Sequence, residues 1–138
     1  MVKFSKLISH WRRIPELVRV RQQSPAWREI TTRYFEIGTP SYPFQIPLSG
    51  GGTVQTTSPN ELKVFWQIFV SRCYRIPPDC ATIVDAGANI GLFALWAARE
   101  IPAARIVSLE PFPRPSAFWR RTSAPIPSRA ASSLYSGR

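Results

Sequence analysis

In a chain of 138 residues, ligand chemistry is concentrated in Asp85-Ala86-Gly87-Ala88-Asn89-Ile90-Gly91 and in a later carboxylate, Glu110. Gly87 has no Cβ, so a ligand can approach its backbone closely. Asn89 is one of the few residues besides glycine that enters left-handed conformations readily. Gly91 lets the start of a following helix pack tightly, and free N–H groups at such a start favour a carboxylate or a phosphate. Glu110 lies 19 residues beyond Gly91. A carboxylate at that position can accept hydrogen bonds from both hydroxyls of a ribose. The set points to a nucleotide-like ligand.

These residues need a frame, and the flanking sequence supplies one. Thr82-Ile83-Val84-Asp85 is β-branched and apolar, the pattern of a short buried strand. Leu92 to Glu100 reads as a helix apolar on most sides, ended by Pro102, and Arg105 to Glu110 as a second buried strand stopped by Pro111. Strand, glycine turn, helix and strand within ~30 residues make a βαβ unit with parallel strands and a right-handed crossover. Ligands of such sheets sit at the carboxyl ends of the strands, where the glycine turn falls.

Two cofactor classes use this frame. The dinucleotide fingerprint G-x-G-x-x-G uses its second glycine to make room for a pyrophosphate. Here that place holds Asn89, and Leu92 follows three residues on. The acid at Asp85, two residues before the first glycine, fits S-adenosylmethionine better. Its ammonium group calls for a carboxylate, and its carboxylate for N–H groups. A NAD(P)-binding Rossmann domain remains the alternative, as does any parallel α/β protein with a glycine-rich turn and a chance glutamate.

The run Val84-Asp85-Ala86-Gly87-Ala88-Asn89-Ile90-Gly91-Leu92-Phe93, followed by Leu109-Glu110-Pro111-Phe112-Pro113, closely resembles the FkbM family of S-adenosylmethionine-dependent methyltransferases. A helix at 59–74 and its Tyr74-x-x-Pro77-Pro78 exit look like the region that precedes the turn in that family. The resemblance covers roughly residues 42–119. It implies an α/β fold of the Rossmann-like class I methyltransferase type, seven-stranded when whole and incomplete here: a βαβ unit plus N-terminal helices and a hairpin. It implies methylation of a hydroxyl on a sugar or natural product. By the same analogy Asp85, Gly87, Ala88, Asn89 and Gly91 hold the methionine part of the cofactor, and Glu110, followed by Pro111, the ribose. No catalytic base is assignable, and the acceptor-binding half of the family's domain is expected to be missing. His10, the only histidine, is read as solvated or packing.

Upstream, Ser58, Pro59 and Glu61 form a capping box, and Leu62, Phe65, Trp66, Phe69, Val70 and Cys73 recur at helical spacing. A helix over 59–74 with this face in a core is expected, rather than a ring-stacking cofactor box. Phe44, Ile46 and Leu48 alternate with polar residues and Pro47 before Gly50-Gly51-Gly52 and Thr53 to Thr57, a hairpin signal with Pro47 on an edge strand. The glycine triplet lacks the Lys-Ser/Thr of a phosphate-binding loop and is read as the turn. Residues 3–35 read as one or two helices broken at Ser24-Pro25, with Phe4, Leu7, Ile8, Trp11, Ile14, Leu17 and Val18 as one apolar stripe. That stripe is expected to pack on the domain. The rival is a basic arm on an anionic membrane or polymer.

The net charge of +10 sits at the ends. Residues 1–35 carry eight Lys/Arg against two acids, residues 36–119 six of each, and residues 120–138 four Arg and no acid. A basic patch built into a fold would mark a nucleic-acid module; basic ends around a neutral middle do not, and no nucleic acid is expected. The division expected is 1–33 as a basic helical extension, 34–119 as the N-terminal part of a methyltransferase domain, and 120–138 as a disordered or out-of-frame tail. The longest stretch without polar side chains is Ile90 to Ala98, too short for the ~20 residues that span a bilayer. No apolar block of secretory type follows the basic N-terminus. Cys73 and Cys80 are read as reduced structural thiols, with no metal site, in a cytoplasmic protein. The exposed edges of so small a sheet imply marginal stability and possible self-association. A catalytically inactive remnant that keeps only the cofactor turn is the rival from another class.

Overall fold

The Ser24-Pro25 pair separates the first two described helices of the computed structural model, which describes residues 14–109. Helix α1 spans Ile14–Gln23 and α2 spans Trp27–Tyr34, with the Ala26 amide donating to Ser24 Oγ in the break. Val20 and Ile30 are fully buried and join them to the core. The apolar stripe of α1 does not behave as expected. Ile14, Leu17 and Val18 are exposed, because α1 turns the Val20 side toward the core instead. The upper part of that stripe, Phe4 to Trp11, lies outside the described residues, as do His10 and the tail at 120–138.

The hairpin forms as the alternation predicts. Strand β1 (Phe44–Pro47) pairs antiparallel with β2 (Thr53–Thr56), Phe44 opposite Thr56 and Pro47 opposite Thr53. Phe44, Ile46, Leu48 and Val54 face the core, and the glycine triplet makes the turn. Arg99 holds that turn from outside through the carbonyls of Ser49 and Gly51.

Helix α3 spans Pro59–Phe65. Ser58 Oγ accepts from the Glu61 amide, while the Glu61 carboxylate accepts from the Thr57 amide at 2.6 Å and the Thr57 hydroxyl at 3.0 Å. The box therefore closes one residue earlier than the Ser58 amide. The predicted helix over 59–74 is corrected in two respects. From Trp66 to Val70 the backbone widens into a π turn, with the Ser71 amide donating to the Trp66 carbonyl. Arg72 then adopts a left-handed φ of +53° and ends the helix. Cys73, expected in the buried stripe, is consequently exposed. Trp66 stacks on Tyr34 with centroids 4.0 Å apart, and Phe65 on Phe69 at 4.8 Å, so the aromatic face is core packing.

The βαβ unit is present. β3 (Thr82–Ala86) and β4 (Arg105–Leu109) pair in parallel, Thr82 with Arg105 and Ala86 with Leu109. Helix α4 (Leu92–Glu100) crosses between them and packs on both. The inner face carries Ile83, Asp85, Ile106 and Ser108, all buried. The outer face is apolar and open, with Val84 60% and Leu109 43% exposed. Among the described residues the strands form two separate two-stranded sheets, a mixed α/β arrangement. No helix of the described residues is long and apolar enough to cross a membrane.

Candidate functional site

The segment from Ala86 to Gly91 leaves the carboxyl end of β3 and enters α4. Its shape is set by three left-handed residues: Gly87 at φ +82°, Asn89 at +48° and Gly91 at +76°. A glycine is required at 87 by this backbone and not by crowding, since a Cβ there would meet nothing within 4 Å. The space it leaves belongs to a cleft of about 360 Å³. That is within the usual range for small-molecule sites, roughly 300–1,000 Å³.

Asp85, Gly87, Ala88 and Asn89 all line this cleft, so four of the predicted residues come together. Gly91 is buried at the start of α4. Asp85 is itself buried, 8% exposed. Glu110 and Pro111 lie outside the described residues.

Three amides of the turn are taken by backbone carbonyls. The Gly87 and Ala88 amides both donate to the Leu109 carbonyl, at 2.7 and 3.1 Å, and the Gly91 amide donates to the Ala88 carbonyl at 2.6 Å. These residues therefore shape the turn and offer close approach, not donors. Donors remain at the start of α4. Gly91 gives it no side-chain cap, and the first amides of any helix lack intrahelical acceptors. With the helix dipole they suit an anionic group. The cleft thus offers a buried carboxylate at one point and an uncapped helix start at another, a pairing that fits a ligand with both an ammonium and a carboxylate.

The opposite wall was not foreseen. Val64 and Ile68 on α3 and its π turn, with Tyr74 beyond, face the turn across the cleft, and Phe93 closes the α4 side. Tyr74 meets Phe93 edge-on at 5.0 Å. Val64 and Ile68 are four residues apart beside the core stripe, a spacing that could have flagged a second face of that helix.

Comparisons with known proteins agree in part. The AMB antimetabolite synthetase AmbE of Pseudomonas aeruginosa is 41% identical over 73 residues, which are 49% of this chain and 3% of that protein. Methyltransferase sdnD of Sordaria araneosa is 48% identical over 52 residues, 36% of this chain and 20% of that protein. Methyltransferase 1 of Beauveria bassiana is 45% identical over 49 residues, 34% of this chain and 20% of that protein. The chain therefore spans only a small part, 3% to 20%, of the curated relatives it matches. No family model matches the chain, and no solved structure matches it. Two of these three relatives are named methyltransferases.

Proposed function

We propose that this chain carries the donor-binding part of an S-adenosylmethionine-dependent methyltransferase of Rossmann-like, FkbM-like type, acting on a hydroxyl of a sugar or natural product. The observation that carries this reading is the left-handed turn at the carboxyl end of β3, with buried Asp85 and the uncapped start of α4 on one cleft. Two relatives named methyltransferases, each 45% identical or more over its short match, support it independently.

When bound, S-adenosylmethionine supplies an electrophilic methyl group on a sulfonium. The chain's own residues bind and orient. Asp85 accepts from the ammonium group, and the first amides of α4 meet the carboxylate. Gly87 and Asn89 keep the turn low enough for close approach, and Glu110 accepts from the ribose hydroxyls. Holding an acceptor oxygen in line with the methyl group supplies much of the rate in such a displacement.

Two free thiols, Cys73 and Cys80, fit a reducing cytoplasm. A NAD(P) site fits less well, because Asn89 occupies the place where the dinucleotide fingerprint needs glycine. Incubation with methyl-tritiated S-adenosylmethionine and a panel of hydroxyl compounds tests the activity. Label transfer supports an enzyme. Binding without transfer to any acceptor favours a remnant that keeps the donor site alone.

A further inference from the structure

The corner that ends the π turn carries a feature the donor site does not use. Arg72 is left-handed, at φ +53°, between the Ser71 and Cys73 amides, which donate back to Trp66 and Gln67. Glycine is the usual residue at such a helix stop, and asparagine the next. An arginine held there at a conformational cost argues that its side chain has a task.

That side chain lines a second cleft, of about 470 Å³, together with Arg19 from α1 and Arg75 from the segment after the corner. Arg19 donates to the Val70 carbonyl at 3.3 Å, which uses one of its five N–H groups. Arg72 lies 3.5 Å from Glu100 in a half-exposed pair. Arg75 has no hydrogen-bond or ion-pair partner among the described residues. The carboxylates at hand are Glu100 and, behind Ser71, Glu16, which accepts from the Ser71 hydroxyl at 2.6 Å. Among the described residues, three guanidinium groups thus face two carboxylates, and one positive charge is left over. Tyr74 lines this cleft and the donor cleft alike, so its ring is a shared wall.

We propose that the Arg19–Arg72–Arg75 cleft binds a phosphate group carried by the methyl acceptor. A planar carboxylate is satisfied by a single guanidinium fork, whereas three guanidiniums from two segments suit a tetrahedral oxyanion with three terminal oxygens. The link to an acceptor rests on the methyltransferase reading; the anion site itself does not. With Tyr74 between the clefts, a phosphorylated substrate anchored here places its remaining atoms toward the donor turn.

The test uses inorganic phosphate as probe, titrated into the full chain at constant ionic strength and followed by arginine side-chain NMR signals. Saturable binding is expected, weakened about tenfold or more by Arg75→Gln and by Arg72→Gly, and unchanged by Arg105→Gln on the exposed start of β4. Arg72→Gly removes the guanidinium while giving the corner its preferred residue, so loss of binding in a folded variant reports the site. Acetate is expected to bind at least about tenfold more weakly than phosphate. Equal binding of phosphate by the wild type, Arg75→Gln and Arg72→Gly would overturn the proposal, and so would acetate binding as tightly as phosphate. S-adenosylhomocysteine is titrated in parallel. If phosphate binds and S-adenosylhomocysteine does not, the anion site stands and the donor reading fails; the converse result refutes the anion site alone.

Discussion

The carbonyl of Leu109, the last residue of β4, accepts hydrogen bonds from both Gly87 and Ala88 in the turn after β3. One oxygen thereby ties the carboxyl ends of two parallel strands together. The two bonds fix the height of the turn above the sheet and occupy two of its amides. Recognition in the cleft is left to side chains and to the start of α4.

Gly87→Ala tests whether the open space at the turn is used. The left-handed backbone makes the substitution cost about 1–2 kcal/mol of stability, since alanine pays for φ +82°. The new methyl group also stands where a ligand must approach. Chemical denaturation is expected to show the modest loss, and S-adenosylhomocysteine binding a much larger one. Binding at wild-type affinity in the folded variant contradicts the placement of the ligand over this turn.

Glu110→Ala probes the proposed ribose contact. Loss of a charged hydrogen-bond acceptor for two hydroxyls is expected to cost about 1–3 kcal/mol of donor affinity, roughly 5- to 150-fold. Calorimetric titration measures it, and unchanged affinity removes Glu110 from the site.

Much of this arrangement was legible in the sequence, and the reasons are local. The β-branched run at 82–85, the glycine turn and the apolar helix gave a βαβ unit whose strand pairing the structure reproduces. The hairpin followed from period-two alternation around a glycine triplet, and the start of α3 from Ser58, Pro59 and Glu61. What stayed hidden depends on partners distant in sequence. The π turn at 66–70 keeps apolar spacing like that of an α-helix, so periodicity could not reveal it. Ile14, Leu17 and Val18 repeat like a buried stripe, yet the core takes Val20 from the other side of α1. The capture of two turn amides by Leu109 depends on strand pairing, which no local motif encodes. Arg19 and Arg72, 53 positions apart, meet at one cleft only through the packing of α1 on the π turn.

Glu61 is the polar pin of the helix that walls the cleft with Val64. Its carboxylate takes both donors of Thr57 while it is 8% exposed. Glu61→Ala leaves the Thr57 amide without this acceptor and is expected to lower stability by about 1–3 kcal/mol. Glu61→Gln keeps one acceptor oxygen and should cost less. Equal stability of the alanine variant and the wild type in urea denaturation contradicts this role.

The open outer face of the β3–β4 sheet predicts self-association. Val84 and Leu109 project from it with no helix covering them among the described residues, and parallel sheets are normally covered on both faces. Replacing both by threonine keeps β propensity while removing apolar surface. Sedimentation velocity should show concentration-dependent oligomers for the wild-type chain and fewer for the double variant. A wild type that stays monomeric at high concentration contradicts the expectation.

The central claim is that the Asp85–Gly91 turn belongs to a sulfonium-nucleoside site. Side-by-side calorimetric titrations of the intact chain with S-adenosylhomocysteine and with NADH address it most directly. Stoichiometric heat with the first and none with the second is the result expected; silence with the first, or tighter binding of the dinucleotide, contradicts the account.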